Sequence, residues 1–173
     1  MGSTIILKGS RVAEVDAKCI SEGIDSKWLM ENAGNRVSDV IAGDFLFPAQ
    51  SKQIKGVVIC GSGNNGGDGF VAAMGLIKIG MFIDIFHTSP VEKFSPDSKY
   101  FFDKLSGIKN LTIQYLDFSS EKLKKEFSEK LEKSDFVLDA IFGTGLHNDC
   151  IRGQAREIID TINSIKFKRK KTH

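Results

Sequence analysis

Short apolar runs alternate with amphipathic stretches through most of the chain. Residues 55–60 (KGVVIC) are apolar almost without a break and predict a strand buried on both faces. Residues 68–79 follow with Phe70, Met74 and Ile77 at helical spacing, and Gly80 supplies a C-terminal stop. A second strand is predicted over 81–87 (MFIDIFH), a helix over 95–105 with a proline near its start, and a third strand over 111–116. Residues 120–133 place Leu123, Phe127 and Leu131 on one face among Lys and Glu. Residues 135–141 (DFVLDAI) read as a fourth strand, and 152–163 as a helix with Ala155, Ile158, Ile159 and Ile162 in register. Two further helices precede the first strand, over 10–22 and 26–45, with 48–53 as the link into the sheet.

Strand and helix therefore alternate four times. That order predicts an α/β fold, a Rossmann-like three-layer α/β/α sandwich with a mostly parallel sheet and extra N-terminal helices. The 173 residues fit one domain, assigned to 1–165, followed by a basic tail at 166–173 expected to be solvated and disordered. Only Ile165 and Phe167 are apolar beyond the last helix, too few for another buried strand.

Charge and cysteine usage narrow the function. The net charge is +2, but five of the last eight residues are basic, leaving 19 basic against 22 acidic side chains over 1–165. A weakly acidic body argues against nucleic acid as the partner. No apolar run reaches the roughly 20 residues a membrane helix needs. Cys19, Cys60 and Cys150 are odd in number and far apart, so neither a disulfide framework nor a zinc site is expected, and a reducing cytoplasm fits.

The chemistry is concentrated in residues 61–69, GSGNNGGDG, between the first strand and its helix. Gly61, Gly63 and Gly66 satisfy the dinucleotide fingerprint, which alone is a weak signal. Five glycines in nine residues cost backbone entropy with no evident packing return, which favours a ligand over a bare turn. An ordinary Rossmann dehydrogenase fits poorly. The predicted helix starts late, Asp68 falls at its N-cap, where a carboxylate opposes a pyrophosphate, and no acidic residue ends the second strand. No Lys-Ser/Thr pair follows the glycines, which excludes a P-loop. Asn64 and Asn65 offer amide donors and carbonyl oxygens, suited to a polar ring or a large monovalent cation; equally, both could be left-handed turn residues. A second glycine loop, Gly143-Thr144-Gly145, follows the fourth strand. Asp139 within that strand is expected to be a buried carboxylate needing a partner or cation. If the first and fourth strands are neighbours, both loops face one crevice.

Three segments taken together resemble a known family: Met30-Glu31-Asn32-Ala33-Gly34, then CGSGNNGGDG at 60–69, then DAIFGTGL at 139–146. In order and spacing they resemble the NAD(P)HX epimerase family, the YjeF N-terminal domain. The resemblance implies an isomerase that converts the R epimers of NADHX and NADPHX, the hydrated forms of NADH and NADPH, to the S epimers. An ATP- or ADP-dependent dehydratase then acts on the S form, which makes it a functional partner in metabolite repair. It implies that Asn64, Asn65, Gly66, Gly67 and Asp68 line the substrate site and that Asn65 and Asp139 ligate a potassium ion. Gly143, Thr144, Gly145, Leu146, His147, Asn148 and Asp149 would wrap the phosphates or the nicotinamide end. It also implies a homodimer. Epimerising the hemiaminal carbon means losing and regaining a hydroxyl or opening the ring, so a carboxylate must balance positive charge and move a proton; Asp68 and Asp139 are the candidates. The family continues into an Asp-x-Pro-Ser-Gly motif that these 173 residues do not contain, so a truncated or shortened form is expected. The alternative is a non-catalytic binding or dimerisation module, as in the related fold of messenger-RNA decapping scaffold proteins.

Overall fold

The structure, a computed structural model, describes residues 9–46, 53–108, 111–144 and 151–165. The chain runs α1 (Gly9–Ser21), α2 (Ser26–Leu46), β1 (Lys55–Cys60), α3 (Asn64–Lys78), β2 (Phe82–His87), α4 (Pro96–Ser106), β3 (Ile113–Tyr115), α5 (Glu121–Lys133), β4 (Phe136–Ala140) and α6 (Gln154–Ser164), with a short 3-10 turn at Val91–Lys93. Most of the linker expected over 48–53, and the tail assigned to 166–173, lie outside the described residues.

All strand pairs are parallel, in the order β3-β2-β1-β4. β1 is central, and residues 56–60 are buried on both faces, as its unbroken apolar run requires. Alternation sorts its side chains into two cores. Val57 and Ile59 join Phe86, Phe127, Leu131 and Ile158 beneath α5 and α6. Val58 and Cys60 join Phe70, Leu76, Phe101 and Leu105 beneath α3 and α4. Helix layers on both faces of a parallel sheet give the expected three-layer Rossmann-like α/β architecture. α2 joins the second layer through buried Met30, while Phe45 packs its ring 5.1 Å from Phe136 of β4.

Local chemistry ends the helices where the sequence marks them. Ile77 and Leu76 carbonyls accept from Gly80 N at 3.0 Å and Met81 N at 3.1 Å, with Gly80 at φ 89°. That is a Schellman ending, which a residue with a Cβ enters only with strain. Ser95 and Ser120 cap α4 and α5 by accepting from Ser98 N at 3.3 Å and Leu123 N at 3.4 Å.

Three expectations are corrected. α3 begins at Asn64, not at 68, so Asp68 lies in its second turn rather than at the N-cap, which is Gly63. Asn64 and Asn65 are accordingly helical, not left-handed turn residues. The reason corrects the second expectation: the glycines do have a packing return. A Cβ at Gly61 would fall on the Ile141 carbonyl oxygen, one at Gly66 on the Gly61 carbonyl, and one at Gly69 against Ala140 and Cys60. Glycine's poor helix propensity, about 1 kcal/mol per residue, is offset because only glycine lets α3 lie this close to the sheet ends. Third, Asp139 is exposed, not buried, because β4 pairs only with β1 among the described residues and forms a sheet edge.

Candidate ligand cleft at the switch point

From β1 the chain moves outward through β2 and β3, then returns to the far side of β1 as β4. The loops after β1 and β4 therefore leave the sheet side by side, at the point where an open α/β sheet leaves a crevice. Backbone bonds knit this end together: Gly61 N donates to Ala140 O at 2.9 Å, and Thr88 N to Cys60 O at 3.0 Å.

A cavity of about 460 Å³ opens here. Ser62, Asn64 and Asn65 form one wall, and Phe142, Gly143 and Thr144 the opposite one. Thr88 and Ser89 from the end of β2 and Ala155 from α6 close the remainder. A side chain joins the two walls: Asn65 Nδ2 donates to the Phe142 carbonyl at 2.9 Å. A Cβ on Gly143 would stand 3.0 Å from Asn65 Cβ, so the second loop packs directly on the first. Neither α3 nor α6 has a side-chain cap at its N-terminus. Backbone N–H groups and the positive dipole end of α3 thus face the cavity, a setting that favours an anionic ligand.

The remaining sequence-predicted residues are placed elsewhere. Gly66 and Gly67 are buried packing positions, Gly67 against Met30 and Ser98, and do not line the cavity. Asp68 is half-buried and also off the cavity wall. Burial, with a smaller contribution from the Asp16 carboxylate on α1, pushes its carboxyl up to about 7. Asp139 accepts from Ile141 N at 3.0 Å through one oxygen and fastens the exit of β4 rather than lining the cavity. Gly145, Leu146, His147, Asn148 and Asp149 lie outside the described residues. Among the described lining residues there is no titratable side chain. No cluster of three or more His, Cys, Asp or Glu among the described residues could hold a metal.

Three contributors gave no sequence signal. Gln154 opens α6, where a polar residue reads as solvated. Its Oε1 accepts from Phe118 N at 3.0 Å, and its Nε2 donates to Leu116 O at 2.7 Å and Thr88 O at 3.3 Å. This pins α6 to the ends of β2 and β3 and so sets Ala155 in the cavity wall. His87 is buried, and its Nδ1 lies 2.7 Å from the Ser89 carbonyl. Burial lowers its basicity. The ring is thus held neutral with Nδ1 as donor, fixing the turn that carries Ser89. Ser95 reaches the cleft through Asn64, whose Oδ1 accepts from the Ser95 hydroxyl at 2.8 Å.

Comparison with known proteins points to one family. The family described as YjeF-related protein N-terminus matches residues 26–171. A bifunctional NAD(P)H-hydrate repair enzyme Nnr from Thermofilum pendens is 31% identical over 161 residues, covering 91% of this chain and 29% of its own length. An NAD(P)H-hydrate epimerase from Sclerotinia sclerotiorum is 33% identical over 160 residues, covering 91% of this chain and 58% of its own length. The chain thus spans about three tenths to six tenths of these relatives. The crystal structure of yeast ynu0, YNL200c, superimposes with a TM-score of 0.77 at 26% identity, over 94% of this chain and 68% of that one. The family match covers most of the chain and includes the segments that carried the resemblance, and the chain belongs to the YjeF-related protein N-terminus family.

Proposed function

We propose that the chain carries the epimerase half of NAD(P)H-hydrate repair, converting R-NADHX and R-NADPHX to the S epimers. The observation that carries this reading is the Asn65–Phe142 bond, which joins the two family motifs across an anion-favouring cleft. Several relatives of similar sequence are named for this activity. The cleft's glycine-lined backbone and amide side chains bind and orient the dinucleotide. Whether the hydroxyl on the carbon beside the ring nitrogen leaves and returns or the ring opens and recloses, a proton moves to and from that hydroxyl. Asp68 is the group whose ionisation, at about 7, matches that task. Asp68 stands off the described wall, so in this reading its proton passes to the cleft through water.

We include a potassium ion in this reading, with Asn65 Oδ1 and the second oxygen of Asp139 as the groups that would hold it: both are hard oxygen donors that no described hydrogen bond uses. Bound there, the ion would supply positive charge beside the ligand. In wild type, potassium chloride should raise the thermal midpoint above that in choline chloride, and in Asp139→Ala it should not.

In this reading the protein works in the cytoplasm as a homodimer, beside a dehydratase that consumes the S epimer. The decisive test follows R-to-S conversion of NADPHX by chromatography. Conversion faster than in buffer is expected. A rate equal to buffer would favour the second reading, a binding or dimerisation module. That reading is supported by exposed Val12, Val15, Ile20 and Trp28 on α1 and α2.

A further inference from the structure

Asn64 and Asn65 stand side by side at the start of α3, yet their amides are tied in opposite senses. Asn65 gives its nitrogen to the Phe142 carbonyl at 2.9 Å, which leaves its carbonyl oxygen for a ligand. Asn64 is held from the other side. Ser95 Oγ donates to Asn64 Oδ1 at 2.8 Å. The same hydroxyl accepts from Ser98 N at 3.3 Å as the cap of α4, which commits its one proton to Asn64. Ser95 also donates its backbone N–H to the Ser62 carbonyl at 2.8 Å, so α4 and the glycine loop are fastened at two points. With its oxygen engaged, Asn64, which lines the cleft beside Ser62, keeps an NH₂ group that no described hydrogen bond uses.

We propose that Ser95 is a positioning residue of the cleft: it fixes the Asn64 amide as a hydrogen-bond donor to the ligand, while Phe142 fixes Asn65 as an acceptor. The pair then selects a ligand that offers an acceptor oxygen, such as a phosphate or carboxamide oxygen, beside a hydroxyl, N–H or cation. Ser95 does not line the cavity and acts through Asn64. The proposal rests on the reading of this cleft as the dinucleotide site.

Three substitutions separate this role from helix capping. Ser95→Thr keeps cap and donor. Ser95→Asp keeps the cap, since Asp is a strong N-cap, but has no proton to give when ionised. Ser95→Ala loses both. With NADP⁺ as probe in calorimetry at high salt, which screens the added charge, Ser95→Ala and Ser95→Asp should each raise Kd by about five- to tenfold, the effect of one lost hydrogen bond. Ser95→Thr should restore binding to within about twofold. Only Ser95→Ala should lower the thermal midpoint. In an Asn64→Ala background, Ser95→Asp should have no further effect on Kd, because its target is gone. Wild-type affinity in Ser95→Asp, or independent additive losses with Asn64→Ala, would overturn the proposal. If wild type fails to bind NADP⁺, the dinucleotide reading fails on its own. The Asn64 side-chain NH₂ signals of the ligand-free protein then decide the Ser95 role: they should shift or broaden in Ser95→Asp but hold in Ser95→Thr. Signals unmoved in Ser95→Asp would sink it.

Discussion

At Asn65 the amide nitrogen is engaged by the Phe142 carbonyl, and both partners sit at the rim of the cleft, where water can replace the bond. Asn65→Ala should therefore leave stability within about 1 kcal/mol of wild type, yet weaken NADP⁺ binding about tenfold, a difference of ~1.4 kcal/mol. Calorimetry beside a denaturant titration checks both parts. Asp68 makes a different prediction. Its carboxyl is raised from 3.8 to about 7, chiefly by burial and then by Asp16. Between roughly pH 4 and pH 7 the unfolded chain releases this proton while the folded chain keeps it, so stability falls as pH rises through that window. Asp68→Asn should remove the dependence and, after allowance for the group's partial exposure, be more stable than wild type at pH 8 by about 1–2 kcal/mol, with little difference at pH 4. Denaturant midpoints at the two pH values measure it; a wild-type slope in the variant would show that Asp68 titrates normally.

Among the elements, α6 depends most on one side chain. Gln154 satisfies Phe118 N–H and the Leu116 and Thr88 carbonyls at once, in a partly buried setting. Gln154→Ala should cost about 1–3 kcal/mol by leaving those groups unpaired. It should also loosen the wall at Ala155, so that ligand binding weakens in parallel with stability. Urea unfolding and calorimetry on the same samples test the coupling, and a large loss of stability with unchanged Kd would separate α6 from the cleft. α3 shows the opposite economy. Its start is set by no side-chain cap at all but by glycines that allow close approach to the sheet. The apolar spacing of Phe70, Met74 and Ile77 revealed the helix body, whereas its first turn was hidden by residues that look like a loop.

Across the whole molecule, apolar side chains stay exposed among the described residues, several of them on the two N-terminal helices. Val12, Val15 and Ile20 on α1 are exposed, as are Trp28 at 56% and Val40 at 65% on α2. In the proposed homodimer these side chains would be covered by the second copy. Sedimentation should show a dimer at micromolar concentration, and Val15→Glu should shift it to monomer without altering the thermal midpoint of the folded core. A wild-type chain that sediments only as monomer would contradict the dimer.

The sequence by itself determined the layer order. The unbroken apolar run of β1 can be buried only by helices on both faces, and the 3.6-residue spacing in α5 and α6 shows which side of each helix meets the sheet. It also determined the stop at Gly80 and the proximity of the two glycine loops, once β1 and β4 are neighbours. What only the tertiary structure decided are the properties set by contacts distant in sequence. Asp139 lies in an apolar run but on a strand that is at the sheet edge among the described residues, so its burial depended on what pairs beside it. Asp68 owes its raised ionisation to burial beneath the N-terminal helices, with a smaller contribution from a carboxylate 52 positions earlier. Ser95 and Gln154 carry ordinary polar side chains whose roles come from partners 31 and 36 residues away. Periodicity records which face a residue takes on its own element. It holds no record of which atoms the other elements bring to meet it.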